Sequence, residues 1–133
     1  MIRITKWNET FEVAKTRKLV HLCWINVPTG VDSSGYLALV SMGVPGITAF
    51  GVFLAICQWS ATCRPIIRGS LARSDGKPLT VPQLAVILRM PVDVVAQSVD
   101  LLMSPDVGWL QSNDHENANV LCQSANHLPT TYH

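Results

Sequence analysis

Every lysine and arginine in the chain lies at or before Arg89. Ten cations stand there against Glu9, Glu12, Asp32 and Asp75, a net of 10 − 4 = +6. From Met90 onward there is no cation, and Asp93, Asp100, Asp106, Asp114 and Glu116 contribute −5. A formal charge of +1 therefore conceals a cationic part and an anionic part. Charge segregated in this way bears on partners, not on fold. Guanidinium and ammonium groups neutralise phosphates and release counterions, which is the main source of affinity in DNA binding. The cations fall in two groups. Arg3, Lys6, Lys15, Arg17 and Lys18 lie near the start, and Arg64, Arg68, Arg73 and Lys77 lie in mid-chain, with Arg89 beyond. If the N-terminal segment packs beside the first strand of a later sheet, the groups merge into one nucleic-acid-facing patch. Otherwise they are scattered solvated charge, or salt bridges to the acidic part.

Other chemistry finds less support. Cys23, Cys57, Cys63 and Cys122 include no Cys-x-x-Cys pair, and structural zinc favours closely spaced ligands. Neither Cys122 with His115 and His127 nor Cys57 with Cys63 meets that requirement, so no metal is expected. There is no Gly-rich phosphate loop, no Gly-x-Ser-x-Gly and no His-Glu-x-x-His. His21 lies in an apolar run and reads as a hydrogen-bonded core residue. The expectation is a non-enzyme with no catalytic residues, no cofactor and no small-molecule substrate. Met1 to Trp7 alternates charge with apolar residues, unlike a secretory signal. Reduced thiols and a cytoplasmic location follow.

The elements that would position these residues centre on Leu79 to Leu110. Thr80 and Gln83 form a capping-box pattern, Leu79 can staple onto Leu84, and Pro82 suits the first turn. The helix halts at Arg89-Met90-Pro91, where Pro91 forces Met90 out of helical geometry. A second helix over Val92 to Met103 places Val92, Val95, Val99 and Leu102 on one face. Its other side shows Asp93, Val94, Gln97, Ser98, Asp100 and Leu101. Gln97 could read an adenine and Ser98 a phosphate or base edge, although Asp93 and Asp100 oppose a polyanion. Val107 to Leu110 reads as a strand, Asn113 to Asn117 as a wing tip, and Val120 to Cys122 as a returning strand. This order predicts an α+β winged helix-turn-helix with a small antiparallel β-wing.

Upstream, Ile2 to Trp7 alternates as a short strand, and Leu19 to Val27 reads as a buried strand. Ser33 to Met42 suggests a short helix. Pro45 to Thr62 suggests the central helix, with Ile47, Phe50, Leu54, Cys57 and Ala61 at helical spacing, Phe53, Ile56 and Trp59 as a second apolar edge that calls for cover on more than one side, and Gly51 permitting close approach of another element. Its apolar part, Ile47 to Cys57, is shorter than the roughly 20 residues of a membrane span, so no membrane is expected. Gly69 to Arg73 reads as a strand. Trp24, Trp59 and Trp109 are expected in the core, with Trp7 partly exposed. At 133 residues the chain fits one domain, over 1–123, with a frayed tail over 124–133. Only 14% is charged, against an average near 25%, which suggests a surface covered by a partner or a second copy.

Arg3-Ile4 with Trp7, Phe11, Arg17-Lys18, Trp24-Ile25, the Gly51 to Ile56 stretch, Gly69-Ser70-Leu71, Pro78-Leu79-Thr80 and Gly108-Trp109-Leu110 together resemble a known family. It is the N-terminal winged-helix domain of phage and bacterial replication proteins of the primosomal, DnaD-like kind. The resemblance implies a DNA-recruiting module in replication. A different class of function is a protein-interaction module, in which Asp93, Asp100, Asp114 and Glu116 dock on a basic partner, such as a host nucleic-acid enzyme inhibited by a phage protein, or a homodimer-forming adaptor.

Overall fold

The computed structural model describes residues 1–13, 15–19, 22, 24–25 and 33–112. Its described residues form an α+β arrangement of five α-helices and a two-stranded antiparallel sheet. Strand β1 (Ile2–Ile4) leads into a single-turn helix α1 (Trp7–Thr10), and a 3₁₀ turn covers Thr16–Lys18. Helices α2 (Ser34–Ser41) and α3 (Val44–Ala61) follow, then α4 (Val81–Leu88), α5 (Val92–Met103) and strand β2 (Leu110–Ser112).

The helix pair forms for the reasons its residues suggest. Thr80 Oγ1 accepts from the Gln83 N–H at 3.3 Å, and Gln83 Oε1 accepts from the Thr80 N–H at 2.9 Å. Two of the unpaired donors at the start of α4 are thus satisfied. Arg89 ends the helix in the left-handed region (φ 57°). Pro91 then sits as the N-cap of α5. Along α5, Val95, Ser98, Val99 and Leu102 are buried against α3 and α4. Val92, expected on that face, instead lies in the first turn and is exposed.

Helix α3 is the axis of the core. Ala49, Val52, Phe53, Ile56 and Cys57 turn inward between α2 and α5. Cys57 and Ala61 of the expected stripe and Phe53 and Ile56 of the second edge are buried, whereas Ile47 is exposed and Leu54 only half-buried. Gly46 makes the inward face possible: a Cβ there would lie 1.7 Å from the Leu39 carbonyl oxygen, so α2 and α3 cross backbone to backbone. At 18 residues α3 is long and apolar enough to cross a membrane by length and composition. It is longer than the apolar run suggested, and nearly half of it is buried inside the molecule.

The sheet is organised around the N-terminus. β1 pairs with β2 in the register Ile2↔Ser112, Arg3↔Gln111 and Ile4↔Leu110. On its other edge Arg3 bridges Ser70, the Ile4 N–H donates to the Gly69 carbonyl at 2.7 Å and the Leu71 N–H to the Ile2 carbonyl at 2.9 Å. The expected strand over 69–73 is therefore reduced to isolated bridges, at Arg3↔Ser70 and Ala72↔Pro78. Alternation drives Ile4 and Leu110 into the core and turns Arg3 and Gln111 outward. The expected strand over 107–110 begins three residues later, at Leu110.

Two tryptophans exchange the places their neighbours suggested. Trp7 is buried, stacked on Phe11 with ring centroids 4.9 Å apart, and Phe11 meets Phe53. Trp24 is 75% exposed. The described residues within 19–27 form no strand; Leu22 is buried, its N–H donating to the Ala61 carbonyl at 2.8 Å. The wing tip, the returning strand and the tail, with His21, Cys23, His115, Cys122 and His127, lie outside the described residues.

Candidate nucleic-acid interface

The early and mid-chain cations are brought together by one of their own number. Arg68, expected on the surface, is buried with Glu12; their side chains are 1% and 2% exposed. Its guanidinium binds the carboxylate with both arms, Nε to Oε2 at 3.0 Å and Nη2 to Oε1 at 2.8 Å. The remaining donors reach the carbonyls of Thr16 and Leu19, each at 3.0 Å, and that of Cys63 at 3.3 Å. Trp7 Nε1 donates to the same carboxylate. The planar fork of arginine is suited to this many fixed acceptors. Burial raises the Glu12 carboxyl, but hydrogen bonds from Arg68 and Trp7 outweigh it and hold the group below its ordinary value. Arg68 is thus a structural residue and is withdrawn from the set of nucleic-acid contacts.

The adjacent glycine fits the same arrangement. Gly69 has φ +88°, and a Cβ there would lie 2.6 Å from Cγ of Trp7. Its N–H donates to the buried Ser60 hydroxyl at 2.7 Å. The loop after α3, the 3₁₀ turn and α1 are thereby fixed against one another.

Around this knot the exposed cations gather. Arg17 and Lys18 are on the 3₁₀ turn whose Thr16 carbonyl Arg68 binds, and Arg17 Nη2 donates to the Asn8 carbonyl at 2.8 Å. Arg64 follows Cys63, which Arg68 also binds, and reaches the Ser74 carbonyl in the next turn. That turn carries Arg73 and Lys77, both exposed. Arg73 pairs with Asp75, whose carboxylate also accepts from the Lys77 N–H at 3.0 Å. The Lys77 N–H and then Arg73 keep Asp75 below its ordinary value. Arg3, Lys6, Asn8, Glu9 and Gln111 line a shallow open depression of about 220 Å³ where β1 meets α1. Lys6 holds a left-handed conformation (φ 51°) at its rim.

Both ion pairs among the described residues lie within the N-terminal 78 residues, and neither joins the cations to Asp93, Asp100 or Asp106. With Glu12 paired to Arg68 and Asp75 to Arg73, Lys6, Lys15, Arg17, Lys18, Arg64 and Lys77 are exposed and Arg3 half-buried in this part of the chain, where Glu9 is also exposed.

On α5 the exposed polar side chains are Asp93, Gln97 and Asp100. Ser98 is corrected: at 2% exposure it lies in the helix contact with Val95 and Leu102 and cannot reach a partner. Val94 and Leu101 are half-buried against the core. Arg89 is exposed in the turn, apart from the cations just described in sequence. Asp114 and Glu116 lie outside the described residues. No group of three or more metal-ligating side chains occurs among the described residues. Burial pushes the Cys57 thiol up to about 12 and raises Cys63, where Arg68 partly offsets it.

Sequence reading missed Glu12 as the partner of Arg68. The available signal was a single acid between Phe11 and Val13, since an isolated carboxylate between apolar residues needs a buried cation. Comparison with protein-family models, curated proteins and solved structures finds no match to this chain.

Proposed function

We propose that the protein is a non-enzymatic, cytoplasmic winged helix-turn-helix module of DNA metabolism that contacts DNA through its early basic face. The observation that carries this reading is the gathering of Arg17, Lys18 and Arg64 around the buried Arg68–Glu12 pair, with no acidic side chain of α5 paired to them. In support of the winged-helix part, α4 and α5 are separated by a short turn and followed by β2, which pairs with β1 beside residues 69–71. In support of joining the two basic groups, β1 lies beside residues 69–71 through the Arg3–Ser70 bridge. The replication context rests on the sequence resemblance. Recognition through the second helix is disfavoured, because Asp93 and Asp100 flank Gln97 and Ser98 is buried.

A mobility shift of a duplex at two salt concentrations tests the proposal. Binding should fall steeply between about 50 and 200 mM salt, as phosphate neutralisation requires. It should be lost in the triple variant Arg17→Glu, Lys18→Glu, Arg64→Glu. Binding that ignores salt, or survives this reversal, refutes it. A second reading has its own observation: the exposed polar face of α5 carries Asp93 and Asp100 with no cation on the helix, which suits a basic protein partner. Asp93→Lys with Asp100→Lys should abolish such a complex in a pull-down, while leaving DNA binding in place.

A further inference from the structure

The shallow depression where β1 meets α1 combines side chains that rarely share a phosphate-binding surface. Pairing of β1 with β2 sets Arg3 opposite Gln111. Because Ile4 and Leu110 turn into the core, both of these face outward. Lys6, in the left-handed region, turns the chain from β1 into α1, which brings Asn8 and Glu9 to the same wall. The frame is fixed. Ile4 and Trp7, which also line the depression, are buried, and the Thr5 N–H and hydroxyl donate to the carbonyls of Trp109 and Gly108 at 2.9 and 2.6 Å.

The polar groups on this frame are unengaged. The side chains of Arg3, Lys6, Glu9 and Gln111 make no hydrogen bond or ion pair among the described residues. With Glu12 paired to Arg68 and Asp75 to Arg73, Glu9 is the one acid left without a cation among the described residues before Met90. A carboxylate beside a phosphate track repels the ligand. Its oxygens only accept hydrogen bonds, so the repulsion is offset where the ligand brings N–H donors to them. At about 220 Å³ the depression is smaller than the roughly 300–1,000 Å³ that encloses a drug-sized molecule. It suits one base with its phosphate.

We propose that this depression reads one unpaired base of a nucleic-acid strand, guanine in preference to the others, and that Glu9 selects it. The proposal rests on the nucleic-acid reading given above. Arg3 and Lys6 take the adjoining phosphate. Glu9 accepts from N1–H and N2–H of the base, and the Gln111 amide donates to O6. Guanine alone among the common bases carries two adjacent N–H donors on its pairing edge, so it alone occupies both Glu9 oxygens. Every other base leaves a carboxylate oxygen unsatisfied beside phosphate, which makes Glu9 a barrier to them. A paired base hides that edge, and a concave surface does not enter a groove; an unpaired base can be turned out and read there. The track continues beyond the depression. Arg17 Nη2 holds the Asn8 carbonyl at 2.8 Å, so exposed Arg17 and Lys18 are tied to its wall.

Fluorescence anisotropy of the full chain with thymidine oligomers of about twelve nucleotides, within the span of single-strand binders, tests the proposal. One central position is dG, dA, dC, dT or abasic. The dG oligomer should bind at least about fivefold tighter than the dT oligomer, the low end for a bidentate base contact. Glu9→Gln should erase that preference and also tighten binding of the dT oligomer, since a negative charge leaves the phosphate track. Its Tm should be unchanged, because Glu9 is exposed and unpaired. Loss of folding cannot combine a lost preference with a gain in affinity. Lys6→Asn, which keeps the left-handed conformation accessible, should weaken every oligomer alike. Equal binding of all the oligomers overturns the proposal and leaves the nucleic-acid reading standing. Absence of salt-sensitive binding to any oligomer and to duplex overturns both. A dG preference that survives Glu9→Gln overturns the proposal. Displacement of the dG oligomer by an equal concentration of guanosine monophosphate overturns it in favour of a free nucleotide.

Discussion

The two ends of the molecule are held together by different physics. At the basic end, a buried carboxylate and guanidinium collect hydrogen bonds from α1, the 3₁₀ turn and the loop after α3, across as many as 56 residues of sequence. At the acidic end, α4 and α5 are joined by Leu84, Ala85, Val95, Val99 and Leu102, with a local capping box at the start. Polar contacts fix the segments that carry Arg17, Lys18 and Arg64. Apolar contacts, chiefly between α5 and α3, fix the helix that carries Asp93 and Asp100. The first kind is geometrically demanding and fails abruptly; the second degrades by increments.

The sharpest way to break this contrast is Arg68→Ala. It leaves Glu12 buried and uncompensated, and should cost about 3–5 kcal/mol in denaturant unfolding. Replacing Arg68 and Glu12 together by Leu should cost less, because no lone charge remains. If the single variant is no worse than the double one, the pair does not hold this end. Leu102→Ala at the other end removes a fully buried side chain and should cost about 2–4 kcal/mol, with no difference between pH 7 and pH 4.

Acid separates the ends further. Because Glu12 titrates below its ordinary value of 4.5 when folded, its contribution is complete above that value. It is lost as pH falls through the lowered folded value. Glu12→Gln should flatten this dependence below about pH 4.5, whereas Leu102→Ala should keep it. Thr80→Ala is the smallest of these effects. It deletes one side of the capping box and should cost about 1 kcal/mol, seen as a small shift in Tm with DNA binding unchanged.

The same contrast explains what could be read from the residues in order. Thr80, Gln83 and Pro91 act on neighbours within a few positions, so α4 and the bounds Val92–Met103 are legible. Arg68 and Glu12 act across 56 positions, and a basic residue among basic residues gives no sign that one of them is internal. Trp7 moves inside because Glu12 accepts from its indole and Gly69 leaves room for its ring. Trp109 likewise sits against Gly35, where a Cβ would come within 2.5 Å of its Nε1. Both glycines are distant in sequence from the rings they admit. Ser98 differs for another reason: a small hydroxyl residue reads as surface, but it fits the close contact of α5 with the core between Val95 and Leu102. Periodicity cannot choose a face on a helix as apolar as α3, and Ile47 turns outward while Phe53 and Ile56 turn inward. For α5, where charge marks the outside, Asp93, Gln97 and Asp100 are exposed as expected.

Titration of the isotopically labelled full chain with a short duplex, followed by backbone amide resonances at low salt, tests the central claim most directly. The account predicts shifts concentrated in Thr16–Lys18, around Arg64, around Lys77 and along β1, reversed by added salt. Shifts confined to Asp93 through Asp100 would contradict it.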